Sequence, residues 1–142
     1  MSSLSQQFPV PHKNFSVDIK GYKTDVVICS YDDHFLVIAT QIGTMGTILH
    51  ARSAVLPEEL LKCIYFTIAR KEEGMSIQPT FNVSVIFGKR DEPMLVACAR
   101  QLVEHISSSG SSRPLVISLG LKDHSVETLK GIVSAVTENR LW

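Results

Sequence analysis

Two neighbouring segments, Thr24 to Tyr31 and His34 to Ile42, are apolar on both faces when laid out as strands. Side chains alternate across a strand, so Phe35, Val37 and Ala39 point one way while Leu36, Ile38 and Ile42 point the other. A strand with two apolar faces has to be covered on both. Helices can cover one, and a second sheet or a partner protein the other. Asp32-Asp33 between the segments reads as a two-residue hairpin turn, because aspartate tolerates the left-handed backbone such turns use. An antiparallel pair at the centre of a sheet is the frame around which the rest of the chain is read.

The stretch Thr40-Gln41-Ile42-Gly43-Thr44-Met45-Gly46-Thr47 leads from that pair into another strand, Gly46 to His50, and offers hydroxyls, an amide and a thioether. Its glycines suit a tight reversal, since glycine takes positive φ at no steric cost. Upstream, Phe15 to Ile19 alternates apolar and polar, a short strand with one wet face that ends at Gly21. Downstream, Ser53 to Ala69 reads two ways. Pro57-Glu58-Glu59 suits a first helical turn with Leu60, Leu61, Ile64, Tyr65 and Ile68 as its apolar stripe, and the helix is preferred. Cys63 to Ile68 is also good strand material. Arg70 to Pro79 reads as a polar loop, and Thr80 to Phe87 as a strand with Phe81, Val83, Val85 and Phe87 on one face.

Asp91-Glu92-Pro93 opens a helix whose inward face is Leu95, Cys98, Ala99, Leu102, Val103 and Ile106. The run Ser107 to Ser112 ends it. Leu115 to Leu119 is a buried strand, and Ser125 caps a last helix with Val126, Leu129, Ile132, Val133 and Val136 as its core stripe. These elements predict an α+β fold, a mostly antiparallel sheet or sandwich of about six strands with two to three flanking helices.

The 142 residues make one domain, residues 16–142, behind a Ser/Gln/Pro-rich leader, residues 1–15, in which structure starts near Phe15. Fourteen basic side chains balance fourteen acidic ones. That zero balance supplies no general attraction for nucleic acid or an anionic membrane, and neither is an expected partner. The leader lacks a signal-peptide core, and no stretch reaches the roughly 20 apolar residues of a membrane span. Cys29, Cys63 and Cys98 are odd in number and far apart, which suits reduced thiols in the cytosol, with the nucleus also open to the protein.

No cofactor is expected, and the candidates for chemistry are weak. Gly43-Thr44-Met45-Gly46 matches the short loop by which KH domains clamp a nucleic-acid backbone, so a small ligand- or nucleic-acid-binding domain is the rival reading. That loop is usually basic and lies between helices, whereas this one is uncharged and lies between strands. The five histidines show no metal-binding spacing. Asp123-His124-Ser125 contains the residue types of a catalytic triad, but chain neighbours cannot aim at one another as a triad requires, and a capping serine explains them. The reading is a binding protein and not an enzyme. Candidate partner contacts are the turn residues Gln41, Thr44 and Met45, the charge run Arg70-Lys71-Glu72-Glu73, and Trp142 as an aromatic anchor.

Taken in order, Thr40-Gln41-x-Gly43-x-Met45-Gly46-Thr47, Asp91-Glu92-Pro93, Lys122-Asp123-x-Ser125, Leu129-Lys130 and Trp142 resemble the proteasome assembly chaperone 3 family. The resemblance covers residues 22–52 and 72–142. It implies a six-stranded sheet or sandwich with flanking helices, pairing with the related assembly chaperone 4, and transient binding to 20S proteasome α-subunits while the α-ring is built. The sequence leaves open a homodimer of this chain in isolation. Residues 53–70 depart from the family pattern. Ala51-Arg52 recurs as Ala69-Arg70, and removing Ser53 to Arg70 restores a simple loop, so the segment reads as an insertion lying outside the sheet.

Overall fold

A computed structural model describes residues 10–53 and 81–142. The readings made for 54–80, helix or strand within the insertion and a polar loop after it, lie outside the described residues. So do Arg70, Lys71, Glu72 and Glu73.

Six strands form one sheet: β1 (His12–Ile19), β2 (Tyr22–Ser30), β3 (Phe35–Thr40), β4 (Thr47–Ser53), β5 (Phe81–Phe87) and β6 (Leu115–Gly120). Two helices, α1 (Pro93–Ser108) and α2 (Val126–Glu138), complete the described chain. The strand order is β1-β2-β3-β6-β4-β5. Every neighbouring pair is antiparallel except β3–β6, which is parallel. A parallel pair needs a long crossover, and here β4, β5 and α1 together supply it. Of the sheet or sandwich anticipated from the sequence, the sheet is what forms.

The hairpin between β2 and β3 turns at Asp32-Asp33, bracketed by the Tyr31 amide donating to the His34 carbonyl at 2.9 Å. β1 begins at His12, three positions before the expected start at Phe15, because Pro11 offers its carbonyl to the Ser30 amide and extends the ladder. Both helices pack on one face of the sheet. Phe35, Val37 and Ala39 of β3, Leu115, Ile117 and Leu119 of β6, and Leu49 and Ala51 of β4 meet Leu95, Leu102 and Ile106 of α1 and Ile132 and Val136 of α2 in one buried cluster. α1 buries the six residues that its spacing predicts. Its N-cap is Glu92, with Pro93 in the first turn, and no side chain caps it.

α2 departs from its expected stripe. Val126 is exposed and Thr128 is fully buried. Thr128 can enter the interior because its hydroxyl is satisfied by the Asp123 carboxylate. The Ser125 hydroxyl caps the helix by accepting from the Thr128 amide at 3.3 Å, as the sequence predicts.

β5 holds a second departure. Ile48 pairs with Phe87 but Leu49 pairs with Val85, so one residue is bulged out of β5. Phe81, Val83 and Val85 keep to the helix-covered face, whereas the shift carries Phe87 to the opposite side, 68% exposed. Strict alternation had placed it with the other three.

Candidate partner-binding surfaces

The face of the sheet turned away from the helices carries an apolar stripe. Register places Val27 beside Ile38, Leu36 beside Val116, and His50 across from Val116. Val27, Leu36, Ile38, Val116 and Ile48 are half-buried by their own neighbours, and none joins the buried cluster under the helices. No described element covers them. Polar residues rim the stripe: Asn14, Ser16 and Asp25 on the β1–β2 side, and Asn82 and Ser84 of β5 on the other. Among the described residues, the doubly apolar strands are thus met by helices on one face only. A soluble chain seldom leaves such a stripe uncovered unless something else covers it.

The turn between β3 and β4 is built from the chain's own groups. The Thr40 hydroxyl donates to the Thr44 carbonyl at 2.8 Å and accepts from the amides of Ile42 and Gly43. Gly43 has φ +80, but Gly46 is needed for a different reason. A Cβ there would lie 2.3 Å from the Leu119 carbonyl oxygen, so the glycine lets the turn press on the β6 backbone. The Gly46 amide is taken by the Ser118 hydroxyl. With three of the turn's amides already engaged, it is not a phosphate cradle.

The candidate contacts separate accordingly. Gln41 is 8% exposed and ties the turn to the start of α2. Its carbonyl oxygen accepts from the Lys122 amide at 2.8 Å and the Asp123 amide at 3.3 Å, and its amide donates to Thr24. It is a brace inside the fold. Thr44 and Met45 are exposed, Met45 at 55%. Trp142 folds back: its indole N–H donates to His105 Nδ1 at 2.9 Å, and its ring meets Phe35 edge-on at 5.3 Å. Its surface serves the protein's own core. Missed in the sequence were Phe87 and Ile42, which join Met45 around a cleft at the end of the sheet. The bulge that frees Phe87 leaves no mark in the hydropathy pattern.

Asp123 gathers the remaining polar contacts. The hydroxyls of Ser125 and Thr128 donate to its carboxylate, and Lys20 Nζ approaches at 3.5 Å. The two hydroxyls first, and then Lys20, hold its carboxyl at about 2 instead of 3.8. His124 takes no part, and Asp123, Ser125 and Thr128 form a helix anchor. Desolvation pushes the Cys98 thiol up to about 12 and raises Cys29 as well, so both are inert, packed thiols. Among the described residues no group of three His, Cys, Asp or Glu could hold a metal ion, and no helix is long and apolar enough to cross a membrane.

What the fold and its surfaces define is a helix-backed sheet whose second, apolar face no described element covers. The family model for proteasome assembly chaperone 3 matches residues 37–139, and the chain belongs to that family. It is 27% identical over 122 residues to proteasome assembly chaperone 3 of Bos taurus and 26% to that of Homo sapiens, with 86% of each chain covered. The Nematostella vectensis protein of that name is 27% identical over 98% of this chain and 95% of its own. A chain of a crystallised chaperone complex for yeast 20S proteasome assembly superposes with a TM-score of 0.62, over 90% of this chain and 97% of that one. At 14% identity, that likeness is one of fold.

Proposed function

We propose that this protein is a non-catalytic chaperone of 20S proteasome assembly that pairs through its uncovered sheet face with assembly chaperone 4 and, with it, binds α-subunits while the α-ring forms. Family membership carries the chaperone role, and that role requires no chemistry on a substrate. One observation carries the pairing: a central apolar stripe, rimmed by polar side chains and faced by no described element. A stable interface buries about 800 Å² per partner, and all six strands contribute to this face. The yeast structural neighbour comes from a chaperone complex, which fits a fold used in company.

Holding α-subunits in order needs only differential affinity. Contacts made in an assembly intermediate and blocked in the finished particle drive release. We take its compartment to be the cytosol, with access to the nucleus, in keeping with Cys29 and Cys98 as free thiols. In the absence of chaperone 4 the same face is expected to pair two copies of this chain. Co-purification tests the reading. Tagged protein should recover chaperone 4 and free α-subunits; recovery of mature proteasome alone would count against it.

A further inference from the structure

Four of the large apolar side chains exposed among the described residues lie at one end of the sheet: Ile42, Met45, Ile86 and Phe87, at 47, 55, 54 and 68%. Three of them, Ile42, Met45 and Phe87, border a cleft of about 360 Å³ with a backbone floor at Gly46 and Gly120. The floor is close-set, since a Cβ on Gly120 would stand 2.8 Å from the Thr44 carbonyl and 3.2 Å from the Ile42 side chain. The walls are held in place by the fold. Gly88 has φ +107, and the next amide, that of Lys89, donates to the Thr47 hydroxyl at 3.1 Å. That clamp follows the bulge and fixes where Phe87 emerges. An aromatic ring, a thioether and a branched aliphatic side chain, all wet and held by a rigid frame, have the composition of an interface anchor site.

The charges around the cleft say what it would take. Its titratable lining residues are Lys89 and His124, and no carboxylate lines it. Lys89 is exposed and makes no ion pair with any described residue. We propose that this cleft is a second docking surface, at the end of the sheet beyond its central stripe, for a client segment that sets an apolar side chain among carboxylates. The inference rests on the assembly reading above, which makes the client a 20S α-subunit. Chaperone 4 on the sheet face and the client at the sheet end could then be held together.

The test uses the full chain with chaperone 4 and individually purified 20S α-subunits. A photo-crosslinker is placed at Met45, and binding is measured for the unaltered protein and for a Met45→Glu, Lys89→Glu variant at low and high salt. Both positions are exposed; if the variant misfolds, Met45→Ser with Lys89→Ala replaces it. Expected are crosslinks to one acidic, apolar segment of an α-subunit, affinity about tenfold lower in the variant, and unchanged chaperone 4 binding. Salt should weaken the unaltered protein more than the variant. Subunit binding without Met45 crosslinks, or binding that the variant retains, overturns the second surface while the assembly reading stands. Loss of chaperone 4 by the folded variant assigns the cleft to that partner and also overturns it. If the unaltered protein binds no α-subunit, both readings fall.

Discussion

Asp123 shows how one side chain fixes the meeting of two elements. Its carboxylate takes hydroxyl donors from Ser125 and Thr128 at the head of α2 and faces Lys20 in the β1–β2 turn. The backbone amide of the same residue donates to Gln41 beyond β3. Because its folded pKa lies at about 2, below the ordinary 3.8, the ionised form is the one that the fold stabilises. That contribution is complete above roughly pH 4 and disappears as the pH falls through about 2. The melting temperature of the unaltered protein should therefore exceed that of Asp123→Asn at neutral pH, and the gap should close between about pH 4 and pH 2. A gap independent of pH would show that the carboxylate charge contributes nothing. Cys98, fully inside the α1 face, carries the opposite lesson: its high pKa is desolvation alone and implies no reactivity.

At the scale of elements, the turn after β3 is where backbone meets backbone. Gly46→Ala would drive a methyl group into the Leu119 carbonyl and the Gly120 Cα, neither of which can move without disturbing β6. The expected loss is about 3 kcal/mol of stability or more, read by denaturant unfolding. A loss below about 0.5 kcal/mol would mean the turn does not press on β6. The glycine was legible in the sequence, but its reason was not. The glycine pair suggested a positive-φ turn, a role Gly43 fills, while the close approach at Gly46 depends on β6, some seventy residues later. The inward face of α1 was readable because a 3.6-residue repeat is a local signal. Val126, Thr128 and Phe87 were not. Thr128 is buried only because Asp123 reaches it, and Phe87 is exposed only because β5 is bulged against β4.

For the whole molecule, the doubly apolar β2 and β3 segments pointed to two coverings, and the described fold supplies one. The family resemblance was legible from short motifs, several of which have structural jobs. Asp123-x-Ser125 starts α2, Gly46 seats a turn, and Trp142 closes over Phe35. Which side chains reach the surface was less legible, since Gln41 and Trp142 turned inward while Phe87 and Ile42 turned out. The central proposal is that the sheet face covered by no described element is where assembly chaperone 4 sits. Native mass measurement of the chain mixed with purified chaperone 4 tests it most directly, comparing the unaltered protein with Ile38→Glu, whose half-buried side chain lies on that face. The unaltered pair should run at the summed mass and the folded variant should not combine. A variant that still forms the full complex would contradict the account.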